Sequence, residues 1–193
     1  MSQTDPLLID IPERLDGPRT VLVAPRAGLG AEMAVVITQS LSHLRPWMPW
    51  AQEPPTAESA ELVVRRMHAD FIARRDLCYH LHARRSDGSA GRLLGGTGLH
   101  RMDWAVRRFE IGYWIRPEAA GQGHVSEAVG LLTALAFDRL AARRVEIRCD
   151  ARNLKSRAVA QRCGFELEDV LRHDALGVDG VPRDTAVYAR ITG

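Results

Sequence analysis

The chain has 193 residues, 46% of them hydrophobic and 26% charged, which suits one folded domain with its own core and argues against disorder. Lys and Arg total 26 against 24 Asp and Glu, a formal charge of +2. No dense basic face for nucleic acid or an anionic membrane is indicated.

Residues 1–18 carry Pro6, Pro12, Gly17 and Pro18 with little periodicity. They read as a lead-in with room for a short strand near 7–9, and residues 19–193 as a single domain. Thr20–Val23 is β-branched and reads as a strand. Residues 27–43 place Met33, Val36, Ile37 and Leu41 at helical spacing. The stretch 43–55 holds Pro46, Pro49, Pro54 and Pro55 and is too punctuated for regular structure. Thr56 can cap a second helix with the apolar stripe Ala60, Val63, Met67 and Phe71. Strands follow at Leu77–Arg84, 92–101 and 108–116, and the glycines Gly95, Gly96 and Gly98 in the middle one predict a bulge or a close backbone approach. A loop with Gly121 and Gly123 leads into the most regular helical pattern, 125–140. Residues 145–150 alternate strictly, 155–163 read as a short helix closed by Gly164, and strands are expected at Glu166–Leu176 and 185–191. The order of elements predicts an α+β layer with helices covering a mostly antiparallel sheet.

The cysteines Cys78, Cys149 and Cys163 are far apart and lack a C-x-x-C spacing. Reduced thiols are expected rather than a disulfide framework or a zinc site. No basic start runs into a long apolar stretch, and no segment approaches the ~20 apolar residues of a membrane span. The expected address is cytoplasmic, with no membrane partner.

Two segments carry chemistry. The first runs strand, glycine loop, helix, from Glu110 to Ala128. A helix start offers free N–H groups and partial positive charge, and glycines before it let the backbone close on an anion. A pyrophosphate could sit on the amides of 121–126, although the same glycines would serve a plain loop. There is no G-K-[ST] and no G-x-G-x-x-G, so neither nucleotide fingerprint applies. The second segment, Asn153 to Phe165, begins where a strand gives way to a helix, and Asn153 there is equally well explained as a cap.

In this order and spacing, the two segments resemble motifs A and B of the GNAT acetyltransferases. Ile111-Gly-Tyr-Trp-Ile115, the Gly121-Gln-Gly123 loop, Asn153-x-x-Ser156 and Cys163-Gly-Phe165 are similar to the RimJ/RimL branch, which acetylates protein N-termini. The Pro46-Trp-Met-Pro-Trp50 turn is similar to the one that precedes the helix beside the acceptor cleft in that branch. The family loop reads Gln/Arg-x-x-Gly-x-Gly/Ala; here Ala120 takes the first place, Val125 the last, and His124 stands where an aromatic residue or Arg is common.

The resemblance implies a GNAT fold: a mixed, mostly antiparallel sheet of about seven strands flanked by four helices. It implies acetyl transfer from acetyl-CoA to a primary amine, foremost a protein or peptide N-terminal α-amine, by direct attack on the thioester and without a metal. Trp114, Ile115, Arg116, Gly121, Gln122, Gly123, His124, Val125, Ser126, Asn153 and Ser156 are the expected cofactor residues. Asn153 would bond the pantetheine arm, and a backbone N–H near Trp114 or Ile115 would polarise the carbonyl. Glu110 is the expected base, acting through water, with His100 its rival. Ser156 is the expected proton donor to the leaving thiolate, with Tyr188 the alternative. Trp47 and Trp50 would line the acceptor pocket, or else form a plain apolar lid, and Cys163 is a spacer before the glycine cap. Homodimers are frequent in the family, so one is open to this chain. Two other functions fit the same residues: acetylation of a small-molecule amine such as an antibiotic, polyamine or natural-product peptide, and acyl-CoA sensing without turnover.

Overall fold

The structure, a computed structural model, describes residues 5–192. Its elements are β1 (Arg14–Asp16), β2 (Thr20–Val23), α1 (Gly30–Leu44), α2 (Ala57–Ile72), β3 (Leu77–Arg84), β4 (Ala90–Asp103), β5 (Arg108–Ile115), α3 (His124–Ala134), β6 (Arg144–Asp150), α4 (Leu154–Arg162), β7 (Glu166–Leu176) and β8 (Pro182–Ile191). One 8-stranded sheet has the order β1-β2-β3-β4-β5-β6-β8-β7. All pairs are antiparallel except β5 with β6. No helix among the described residues is long and apolar enough to cross a membrane.

Strand alternation sends successive side chains to opposite faces. On one face, Phe109, Ile111 and Ile115 of β5 and Val145 and Ile147 of β6 are buried in one cluster with Ala128, Val129, Leu132 and Ala136 of α3. On the other, Met33, Ala34 and Val36 of α1 and Ala60 of α2 close over Leu93 of β4.

The sheet has one strand more than the sequence suggests, and it lies within the lead-in: β1 pairs with β2 from Arg14↔Val23 to Asp16↔Val21. The strand expected near 7–9 is instead a 3-10 turn at Pro6–Leu8. The Asp5 carboxylate caps it by accepting from the Leu7 amide at 2.9 Å, and Pro6 fixes its first φ. Helix α1 starts at Gly30 rather than 27, because Gly28 sits at φ +102° and the Glu61 carboxylate of α2 accepts from the amides of Gly28 and Gly30. Thr56 caps α2 through Ser59 N at 3.0 Å. The buried stripe of α2 is Ala60, Val64 and Phe71, while Val63 is exposed. Helix α3 closes in a π-helical turn at Leu135–Arg139, with Leu140 N–H bonded to the Leu135 carbonyl. The expected close approach is present: a Cβ on Gly95 would collide with the Trp114 carbonyl, and one on Gly96 would meet the Trp114 indole nitrogen at 2.7 Å.

Candidate active site

β5 and β6 pair only at Arg108↔Arg144, Phe109↔Val145 and Glu110↔Glu146. Each then stays bonded to its outer neighbour, β5 to β4 as far as Ile115 and β6 to β8 as far as Asp150, so the two strands part. A cleft of about 1130 Å³ runs through the gap, from Gly121, Gly123 and Ser126 at one end to Trp47, Trp50 and His80 at the other.

The backbone facing the gap follows from alternation. The Arg116 amide donates to the Leu94 carbonyl on β4 at 2.8 Å, and the Thr97 hydroxyl donates to the Gly112 carbonyl at 2.8 Å. Residues 112, 114 and 116 therefore turn their N–H and C=O groups toward β4, and 113 and 115 turn theirs into the gap. The Ile115 N–H is the one that opens on the cleft, rather than that of Trp114.

At the α3 end, Gly121 has φ +76° and Gly123 φ +86°, a left-handed pair that closes the loop onto the helix start. Gly123 is the N-cap and has no side chain with which to satisfy the first amides, and the first intrahelical bond is Glu127 N to Gly123 O. The amides of His124, Val125 and Ser126 are thus without intrahelical partners, and these residues line the cleft. His124 is anchored by a 3.0 Å hydrogen bond between Nδ1 and Thr20 Oγ1, and burial pushes its pKa down toward the neutral ring.

Two of the expected cofactor side chains are engaged elsewhere. Arg116 is buried against the α1 side, donating to Gln39 Oε1 at 2.6 Å and pairing with Glu118 at 2.6 Å. Gln122 folds back so that Nε2 donates to the Glu118 carbonyl. Cations missed in the sequence stand nearby. Lys155 and Arg162, seven residues apart on one face of α4, both line the cleft, and Arg162 donates to Ser126 Oγ at 3.1 Å. Arg19, from the β1–β2 turn, donates to the Gln122 carbonyl at 3.0 Å and bonds Glu127 of α3.

Asn153 is the N-cap of α4, its Oδ1 accepting from Ser156 N at 3.1 Å. That use leaves the amide NH₂ available to a ligand, so cap and ligand contact are separable. Asn153→Ala should cost about 1 kcal/mol of stability by loss of the cap and raise the KM for acetyl-CoA. Asn153→Asp should keep the melting temperature and still raise KM. Thermal melts beside initial-rate kinetics check this, and an unchanged KM in both variants would leave only the cap.

Ser156 Oγ lies 2.8 Å from the Tyr113 hydroxyl, and both residues line the cleft. Tyr113 was missed as a site residue. Burial pushes its pKa well above the ordinary phenol value, so it stays a neutral donor. Tyr188, the alternative acid, is fully buried, its oxygen accepting from Arg157 Nε at 3.0 Å, and it does not line the cleft. Tyr113 takes its place beside Ser156. Cys163 is the C-cap of α4, with Sγ 3.6 Å from the Ser126 carbonyl.

Glu110 sits where β5 and β6 begin to part. It reaches the cleft on one side and, on the other, a small polar pocket lined also by Arg101, Arg108, Glu146 and Arg148. Burial pushes its carboxyl pKa up, and Arg101, 3.3 Å away, Arg148 and His100 pull the other way. His100, directly opposite on β4, also lines the cleft. Trp50 and Trp114 meet edge to face at 5.8 Å, and Trp47 joins them on the wall. His80 lies on the same floor, 2% exposed, with neither ring nitrogen hydrogen-bonded and its pKa lowered by burial to about 4.

A family model described as an acetyltransferase (GNAT) domain matches residues 19–166. The YdaF protein of Bacillus subtilis (strain 168), which carries the name of a ribosomal N-acetyltransferase, is 36% identical over 162 residues, covering 81% of this chain and 82% of its own. Among solved structures, the microcin self-immunity acetyltransferase MccE, in complex with acetyl-CoA and AMP, superposes with a TM-score of 0.83 at 24% identity, over 91% of this chain and 94% of its own. RimL, a ribosomal-protein α-N-acetyltransferase in complex with coenzyme A, gives 0.82 at 21% identity, over 92% and 96%. The family match and the YdaF relative together define an acyl-CoA-dependent N-acetyltransferase. The chain belongs to the GNAT family, in its RimJ/RimL-like branch.

Proposed function

We propose that the enzyme moves the acetyl group of acetyl-CoA onto the α-amine of a protein or peptide N-terminus. The observation that carries this reading is the continuity of the cleft, from the amides of 124–126, past the Ile115 N–H and the Ser156–Tyr113 hydroxyls, to Glu110 and the tryptophan-lined end. The diphosphate would rest on the α3 amides with Lys155 and Arg162 beside it, which offsets the Ala120 departure. The pantetheine arm would occupy the β5–β6 gap, taking a bond from the Asn153 amide. The thioester oxygen would face the Ile115 N–H, and the Ser156 hydroxyl, backed by Tyr113, would protonate the departing sulfur. Glu110, through water, would take a proton from the amine.

An α-amine has a pKa near ~8 and gives up its proton more readily than a lysine at ~10.4, which suits a site whose bases are a carboxylate and an imidazole. The names of YdaF and RimL point to the same acceptor class. A small amine carrying a flat ring is the second reading, favoured by the Trp50–Trp114 pair at the acceptor end. Thiol release from acetyl-CoA with a panel of free-N-terminus peptides, polyamines and aromatic amines decides between them. The peptides should turn over at least tenfold faster in kcat/KM. The reverse order would select the small-amine reading, and tight acetyl-CoA binding without thiol release from any amine would select a sensor.

A further inference from the structure

We propose that Asp76 and His100 form a carboxylate–imidazole pair that takes the first proton from the acceptor amine, with Asp76 the positioning residue and His100 the base. This rests on the amine-acetylating reading above and divides its proton traffic between two groups.

The geometry begins with hydrogen-bond chemistry. His100 Nδ1 lies 2.8 Å from Asp76 Oδ2, and the Cys78 thiol donates to Asp76 Oδ1 at 3.0 Å. An ionised carboxylate only accepts, so the hydrogen of that contact sits on Nδ1. In the neutral ring Nε2 then carries the lone pair. Two glycines decide where it points. A Cβ on Gly98 would lie 3.0 Å from His100 Cε1, and one on Gly112 would lie 2.8 Å from Cδ2 and 3.0 Å from Nε2. The ring therefore lies across a part of β4 and β5 that has no side chains. Nε2 sits over Gly112, between Glu110 and Trp114 on β5 and so closer than Glu110 to the residues that flank the Ile115 N–H. The side chains of His100 and Asp76 are 30% and 32% exposed, and His100 lines the cleft with Asp76 behind it.

The charged and titratable groups around the ring are few. Asp76 and Cys78 approach from β3 and the turn before it, Glu110 faces it across the strand pair, and Arg101 follows it in sequence and pairs with Glu110. His80, His43 and Glu53 line the same cleft.

Acetylation of an ammonium releases two protons from nitrogen, and two bases stand side by side to receive them. R–NH₃⁺ gives the first to His100 Nε2. The freed lone pair attacks the thioester carbonyl carbon; a C–N bond forms, and the C=O π pair moves to oxygen. The nitrogen gives its second proton to Glu110 through water. The oxygen pair returns, the C–S bond breaks with its electrons on sulfur, and sulfur takes a proton from the Ser156 hydroxyl, which is replenished from solvent. The sum is R–NH₃⁺ plus acetyl-S-CoA giving the amide, CoA-SH and one released proton.

Two measurements test the pair. Imidazole ¹⁵N NMR on the unliganded wild-type protein should show neutral His100 as the Nδ1–H tautomer; an Nε2–H tautomer would overturn the proposal whatever the acceptor. In kinetics, on the fastest amine of the panel, His100→Gln should lower kcat/KM for that amine about 100-fold. Asp76→Asn should lower kcat about tenfold, Asp76→Glu should recover part of the loss, and the KM for acetyl-CoA should hold in all three. A His100→Gln profile superimposable on wild type at every pH overturns the pair, as does a stoichiometric divalent metal on Asp76, Cys78 and His100 in the purified protein. Should only small amines be acetylated, the N-terminal acceptor reading fails, and the same comparison on the small amine still decides the role of the pair.

Discussion

Gly123→Val should abolish acetyl-CoA binding, weakening it at least 100-fold by calorimetry while the far-ultraviolet circular dichroism stays that of wild type. Three effects act together. Gly123 holds φ +86°, a region in which a β-branched residue is strained by about 1–3 kcal/mol. Its new Cβ would lie 2.7 Å from the Arg19 guanidinium, so the Arg19 bonds to the Gln122 carbonyl and Glu127 must give way. The branched methyls would also crowd the amides of 124–126, where the diphosphate is proposed to sit. The loop lies at the surface and buries no core side chain apart from Ala119, so the sheet and α3 should persist. Retention of wild-type affinity would mean that the anion rests elsewhere.

Glu110→Gln should lower kcat about 100-fold, within the range for loss of a positioned base, and leave acetyl-CoA affinity unchanged. The carboxylate is the useful form. Because burial raises its pKa, the rate should fall as pH drops through a value above the ordinary carboxylate range, and glutamine should delete that ionisation from the profile. The stability sign is opposite. A carboxyl whose folded pKa is raised stabilises the fold when protonated, and that contribution is lost as pH rises through the raised value. At neutral pH the variant should therefore melt no lower than wild type. A drop in melting temperature would mean that the pair with Arg101 at 3.3 Å outweighs desolvation.

Much of the fold was legible because its signals are local. Period-two alternation at 145–150, the Thr56 cap and the Gly164 terminus each specify their element within a few residues, and all appear in place. Non-local devices were not legible. β1 is a strand only because β2 offers an edge, and α1 starts late because Glu61, on another helix, caps its amides. The site divides the same way. The glycine loop and Asn153 sit in contiguous motifs, whereas Tyr113 beside Ser156, Arg19 beside Gln122 and Asp76 beside His100 are brought together by the tertiary fold across 24 to 103 positions. Arg116 and Gln122 are the converse: both lie in the expected segment, yet the strand's facing turns one toward Gln39 and the loop's fold turns the other toward Glu118.

The short β5–β6 pairing has a wider consequence. Three residue pairs are all the strand register that joins a five-stranded slab, β1 to β5, to a three-stranded one, β6, β8 and β7, with α3 packed across both. A pantetheine chain laid along the parted edges would act as a surrogate ninth strand, mortaring the slabs together. Occupancy would then register as mechanical stiffness, with amide exchange slowing on both edges at once and the unfolding midpoint climbing with ligand concentration.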